Sequence, residues 1–206
     1  MDHSIHTEGF GVRFRPVRMQ DAAFIVKLRN SGHAKGFVGD SAKDIRSQET
    51  WLEAYFQRND DYYFIIETPR GLPVGTYGIY EIRGKTAEQG RWVILPDVRA
   101  AAPSAIVSLD MAFGMLGFNQ LTGSTVATNP AVLSLNRRMG FRELRTERAA
   151  KVINGQAVDL VHFVVTAESW QKARGGLVPI AQLAESQIRE WEREQLEKTA
   201  ATAQAE

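Results

Sequence analysis

With 206 residues, 44% of them hydrophobic, the chain can bury the core of one domain with an appendage, or of two very small domains, and it does not have the composition of a disordered protein. Its net charge of +1 excludes a strong overall field for nucleic acid or an anionic membrane, so any affinity for phosphate has to be built locally. Lacking cysteine, it has no disulfide framework, thiol nucleophile or thiolate metal ligand.

Met1-Asp-His-Ser-Ile-His6 has no basic stretch followed by an apolar run, so no signal peptide is expected, and no apolar stretch approaches the roughly 18 residues of a membrane span. These features predict a soluble, cytoplasmic protein. Val12-Arg-Phe-Arg-Pro-Val-Arg18 alternates apolar and basic residues as a strand with one buried face, and Pro16 marks an edge or an end of pairing. Gln20-Asp21 opens a helix whose stripe is Phe24, Ile25 and Leu28 and which stops near Asn30-Ser31-Gly32. Residues 31–46 form a long loop, rich in Gly, Ser and Asp, of the kind that often carries function. Ser47-x-x-Thr50 precedes a second helix with Trp51, Leu52, Tyr55 and Phe56, ended by Asn59-Asp-Asp61.

Three strands follow as an antiparallel meander: Tyr62 to Glu67, Val74 to Ile82 and Glu88 to Leu95, with turns at Pro69-Arg-Gly71 and Gly84-Lys85. The third breaks at Pro96 and passes through Arg99-Ala-Ala-Ala-Pro-Ser104 into a helix spanning Pro103 to Leu116. A strand that feeds small residues into a helix N-terminus is a site for anionic phosphate, because backbone N–H groups lie unpaired there and the helix dipole favours negative charge. Ser124 to Thr128 is a short strand; Asn129 caps the next helix with Pro130 in its first turn, and Gly140 ends it. Asn154-Gly155 turns a hairpin between Phe141–Ile153 and Gln156–Val165. Glu168 to Ala173 reads as a short helix, Gly175-Gly176 as a hinge, and 180–198 as a charged helix with a stripe of Ile180, Ala184, Ile188 and Trp191. Thr199 to Glu206 is expected to fray.

This order, β-α-α-β-β-β-α-β-α-β-β over residues 12–166, with the Arg99–Ser104 elbow, resembles the GNAT N-acetyltransferase superfamily. Arg15-Pro16, Leu28-Arg-Asn30, Trp51, Pro73-Val-Gly-Thr76, Ile79-Tyr80 and Gly90-Arg-Trp-Val-Ile94 resemble the branch acting on nucleotide-linked amino sugars, of the pseudaminic-acid pathway type. The resemblance implies an α/β (α+β) fold: a mostly antiparallel seven-stranded sheet, with helices on both faces, splayed where acetyl-CoA binds. A GNAT domain at 12–168 would carry a helical extension at 177–198.

It also implies a site. Backbone groups of Val93, Ile94 and Leu95 would face the pantetheine arm, and Arg99, Ala100, Ala101, Ala102, Ser104 and Ala105 the pyrophosphate. The family elbow is Arg/Gln-x-x-Gly-x-Gly/Ala; here Ala102 and Ser104 stand at its small-residue positions and Pro103 removes a donor, which the Ser104 hydroxyl can replace. Asn129 would bond the pantetheine besides capping its helix. Asn136 stands where many relatives have a Tyr that protonates the leaving thiolate; an amide cannot do so, though it can donate a hydrogen bond to sulfur, and Tyr77 and Tyr80 are other acids to weigh. Arg137 and Arg138 are candidates for CoA phosphates or simply solvated.

For the chemistry, Glu88 is the first choice of general base, against a solvated strand-end carboxylate; Glu81 is second. Arg91 either orients substrate phosphate or pairs with Glu88. The first helix and its loop would cover the acceptor, which places Arg29, Asn30 and His33 there with Tyr80; Trp51 and Tyr55 stack on a nucleobase or pack in the core. His162 reads as structural. No cluster has metal-ligand spacing. The expected partner is a small-molecule amine, with neither nucleic acid nor membrane; the C-terminal stripe docks on the sheet or on a second subunit, so a homodimer is one outcome, or the helix is solvated with i,i+4 ion pairs such as Glu185–Arg189 and Glu194–Lys198. The rivals are a ribosomal-protein-type Nα-acetyltransferase and a degenerate CoA-binding or scaffold domain.

Overall fold

The structure, a computed structural model, describes residues 1–39 and 41–203. Eight strands form one sheet: β1 (Thr7–Gly9), β2 (Val12–Pro16), β3 (Asp61–Glu67), β4 (Pro73–Arg83), β5 (Thr86–Ile94), β6 (Gln120–Val126), β7 (Arg142–Ile153) and β8 (Gln156–Thr166). Their order is β1-β2-β3-β4-β5-β6-β8-β7, antiparallel throughout except where β5 meets β6. The sequence predicts seven strands. The eighth, β1, is a three-residue edge strand joined to β2 by Phe10-Gly11, both at positive φ (51° and 78°). That is a two-residue hairpin of the kind that matches strand twist, and the Phe in it hides the signal.

Helices α1 (Ala22–Arg29) and α2 (Ile45–Phe56) cover one face; α3 (Ala101–Asp110) and α5 (Ala167–Ala203) cover the other, with α4 (Pro130–Arg138) at its margin. Strand alternation feeds both layers. Phe64 and Ile66 enter the larger core with Ile106, Leu109 and Leu121, while Tyr63 and Ile65 pack with Ile25, Leu52 and Tyr55. The second helix begins two residues before Ser47, because Asp44 caps it by accepting the Ser47 N–H at 2.8 Å.

The C-terminal segment departs most from expectation. Instead of two helices about a Gly175-Gly176 hinge, α5 is one helix of 37 residues with Pro179 inside it. Tertiary packing outweighs the local breakers. Trp170, Leu177, Ala181, Ala184 and Ile188 are buried, whereas Ile180, assigned to the stripe from sequence, is 40% exposed. Asp110 accepts the Trp170 indole N–H at 2.9 Å and Arg174 in bidentate fashion, and buried Glu192 accepts the Arg70 N–H at 2.7 Å. Of the two intrahelical ion pairs expected, Glu185–Arg189 forms at 2.7 Å. No helix among the described residues is long and apolar enough to cross a membrane.

Candidate active site

The sheet opens in one place. β5 and β6 pair only at Thr86–Gln120, Ala87–Leu121 and Glu88–Thr122. Beyond that vertex β5 stays with β4 as far as Gly75–Ile94, and β6 stays with β8 as far as Val126–Leu160, so the two strands diverge with their facing edges unpaired. Gly123 sits at the vertex, where an added Cβ would lie 3.1 Å from the Gln89 carbonyl oxygen.

The open edge of β5 has a defined hydrogen-bonding sense. Leu95 N–H donates to the Val74 carbonyl at 2.8 Å. By strand alternation Val93 also faces β4, and Ile94 turns its N–H to the split. Of Val93, Ile94 and Leu95, only Ile94 therefore keeps a backbone donor without a strand partner among the described residues, while the Val93 side chain is buried with Leu28 and Ala34.

At the elbow, α3 starts at Ala101, two residues earlier than Pro103. This shift changes which groups are available. The N–H groups of Ala101 and Ala102 lie in the first turn, where no intrahelical partner exists, and both residues reach the surface, as does Arg99. Ala100 and Ala105 are fully buried. Ser104 falls on the inner face: its N–H donates to the Ala100 carbonyl at 2.9 Å, its hydroxyl donates to the Ala101 carbonyl at 3.1 Å, and it accepts the Trp92 indole N–H at 3.2 Å. It cannot supply the phosphate donor that Pro103 removes.

Across the split, Asn129 accepts the Val132 N–H at 3.2 Å through Oδ1 and so caps α4, leaving its amide NH2 for another partner. Asn136 is 4% exposed, and its Nδ2 is, among the described residues, a buried side-chain donor with no partner. Such a group costs about 1–3 kcal/mol unless something fills it. Arg137 is tied to Glu143 at 2.7 Å, and Arg138 is exposed.

On the acceptor side, β5 bulges. Thr76 pairs with Val93 and Gly78 with Gly90, so Tyr77 opposes both Arg91 and Trp92. Arg91 takes φ of 50°, and Thr76 Oγ1 donates to its carbonyl at 2.7 Å. A non-glycine residue in that region costs on the order of 1 kcal/mol or more. The Arg91 side chain holds it there: it forms a bidentate pair with Asp61, which is 4% exposed and also takes Arg58 at 3.0 Å. The guanidinium lies 4.5 Å from the Tyr80 ring, 5.2 Å from Trp51 and 5.3 Å from Tyr63. Arg91 thus pairs with Asp61 rather than with Glu88, and its charge is already matched. Trp51, engaged by Tyr55 in a stack at 5.7 Å and by Tyr63, Arg58 and Arg91, is a packed wall and not an open platform for a base.

Arg29, at the last turn of α1, differs from Arg91. Its Nε donates to Ser41 Oγ at 3.1 Å, and among the described residues it has no carboxylate partner. Burial lowers its pKa from the ordinary value, and the positive Arg91 adds to that. Asn30 spends its amide on the Val26 and Ala42 carbonyls at 3.0 and 2.9 Å, stitching the loop shut instead of reaching for substrate. His33 is exposed on a run of turns at 31–38, pinned by buried Ala34 and by Asn154 of the β7–β8 turn, which donates to the Lys35 carbonyl at 2.8 Å.

Glu88 stands at the vertex of the split. It lines a cleft of about 550 Å³ with Tyr80 and Thr122, and the Tyr80 hydroxyl donates to its Oε1 at 3.3 Å. Glu81 lies on a second bulge with φ of 52°; its side chain is 66% exposed and 3.8 Å from Arg83. Tyr77 is buried on the core side, donating to Gln89 Oε1 at 2.7 Å, so it faces away from the cleft. Asp61 and Tyr63 hold the bulge without any local sequence signal for that role; Asp61 reads as a helix terminator. His162 contacts Glu147 at 3.0 Å. No group of His, Asp and Glu among the described residues could hold a metal.

Comparison with known proteins agrees with the fold. The family model described as Acetyltransferase (GNAT) domain matches residues 12–142. Apo FdhC, a nucleotide-linked sugar GNAT, superposes with a TM-score of 0.70 at 23% identity, covering 87% of this chain and 98% of the other. A GCN5-related N-acetyltransferase from Brucella melitensis gives 0.72 at 18% identity, covering 87% and 86%. Spermidine N-acetyltransferase from Vibrio cholerae in complex with CoA and spermine gives 0.70 at 19%, covering 79% and 99%. At these identities the likeness is one of fold. No curated protein matches the chain in sequence.

Proposed function

Because the chain belongs to the GNAT acetyltransferase family, we propose that it transfers the acetyl group of acetyl-CoA to the primary amine of a nucleotide-linked amino sugar, by direct attack and without a covalent enzyme intermediate. The observation that carries the cofactor half of this reading is the three-residue β5–β6 pairing. An amide-bearing arm completes the unpaired edge as an added strand would. The N–H of Ile94, the first-turn N–H groups of Ala101 and Ala102 and the unpartnered Nδ2 of Asn136 fit such a ligand. Arg99 on the elbow and Arg138 on α4 are both exposed and are the cations assigned to the CoA phosphates.

The acceptor half rests on Arg29. A cation whose charge no described carboxylate matches, beside a second guanidinium, favours an acceptor that brings negative charge and disfavours a polyamine. FdhC supplies the same direction by likeness of fold.

In the reaction, Glu88 takes a proton from the acceptor ammonium, directly or through one water. The freed lone pair attacks the thioester carbon, the N–C bond forms, and the C–S bond breaks with its electron pair leaving on sulfur. The second amine proton passes to solvent, and CoA leaves as the thiol after protonation by water. The Ile94 N–H polarises the carbonyl oxygen during attack. Acetyl-CoA as co-substrate fits a cytoplasmic enzyme, and a homodimer is one outcome for its assembly.

Thiol release in the presence of acetyl-CoA tests the assignment, with UDP-linked amino sugars, spermine and a peptide with a free N-terminus as acceptors. Turnover on an amino sugar is expected. Turnover on spermine or the peptide alone would replace the acceptor class, and the absence of turnover on any amine would point to a CoA-binding domain without catalysis.

A further inference from the structure

Tyr80 and Glu88 are directly opposed in the β4–β5 ladder, so their side chains share one face. The phenol hydroxyl donates to Glu88 Oε1 at 3.3 Å. Two features fix the ring in that position. Gly90, two residues further along β5 and on the same face, has no Cβ; one built there would clash with the Tyr80 hydroxyl oxygen. On the ring itself lies the Arg91 guanidinium, 4.5 Å away and anchored by Asp61. A bare strand position and a clamped cation together form a slot that fits a tyrosine and ends at the carboxylate.

We propose that Tyr80 is a positioning residue for the general base: its hydroxyl fixes one oxygen of Glu88, so that the other faces the acceptor amine, or its water, in the cleft beside Thr122. This rests on Glu88 being the base. Burial, with the Glu88 charge beside it, raises the Tyr80 pKa above its ordinary value. The phenol therefore stays protonated at neutral pH and remains a donor. Its partner carboxylate is then held as an acceptor and is not free to rotate toward Arg83, which lines the same cleft.

A double-mutant cycle on the full chain distinguishes this role from simple packing, using acetyl-CoA with a UDP-linked amino sugar or whichever amine of the panel turns over fastest. Tyr80→Phe is expected to lower kcat about tenfold, the size of one hydrogen bond to a charged group, with KM for acetyl-CoA unchanged. In a Glu88→Gln background the same change should alter kcat by less than about twofold, because the pair acts as a unit. Gly90→Ala, which keeps the hydroxyl but pushes the ring aside, should reproduce the loss. Tyr80→Phe with unaltered kcat, or with its full effect retained in the Glu88→Gln background, overturns the proposal while leaving Glu88 as base. Full activity of Glu88→Gln itself removes the base assignment and this inference with it.

Discussion

Replacing the Glu88 carboxylate by an amide of the same shape separates proton transfer from binding. Glu88→Gln is expected to lower kcat at neutral pH by about 10²–10⁴-fold, the usual contribution of a general base, with acetyl-CoA affinity unchanged by calorimetry. Arg29→Gln should do the reverse for the acceptor: KM for the sugar nucleotide rises about tenfold or more, the order of one charge-assisted contact to phosphate, while kcat at saturation holds. An equal fall in kcat and kcat/KM would place Arg29 in the transition state instead. Glu88 is nominated in the sequence by its type and its place on a strand, and Arg29 by the resemblance that puts the first helix over the acceptor. Their partners were not legible. Asp61 lies 30 residues from Arg91, and only the bulge, which shifts register by one residue, brings the two side chains together. Ser104 shows the opposite failure: a helix that starts two residues early turns a surface hydroxyl into a core one.

At the level of elements, signals that act locally were readable. Asn129 as a cap, Gly140 at φ of 81° ending α4 and Asn154-Gly155 as a turn all depend on a few adjacent residues. The unity of α5 was not, because Gly175, Gly176 and Pro179 are genuine local breakers and only burial against α3 and the sheet overrules them. Pro179 still leaves the Gly175 carbonyl without its helical donor. Pro179→Ala is therefore expected to stabilise the protein by about 1–3 kcal/mol, read as a higher denaturation midpoint with unchanged slope. A lower midpoint would show that the proline relieves strain in the helix. On the same helix, Glu192→Ala removes the acceptor of the Arg70 N–H and should cost about 1–3 kcal/mol.

Over the whole molecule, one sheet serves two purposes. Its β1–β5 side is an antiparallel block with aromatic layers on both faces; its β6–β8 side is a second block, and the two meet at three residue pairs only, between β5 and β6. The order of elements announced this division in the sequence, since the elbow and the Asn-led helix mark the strand ends that diverge. Where the divergence starts was not announced, because Glu88 and Thr122 carry no local mark of being the last pair. A ligand that bridges the two blocks binds the folded state alone, so acetyl-CoA at 100 times its Kd should stabilise the protein by about 2.7 kcal/mol. The most direct test of that bridging is residue-resolved amide exchange by NMR with and without saturating acetyl-CoA. Exchange at Ile94, Ala101 and Ala102 should slow on binding, with Leu95 and Ser104, already bonded within the protein, little changed. Unaltered exchange at Ile94 in the presence of saturating acetyl-CoA would contradict the account.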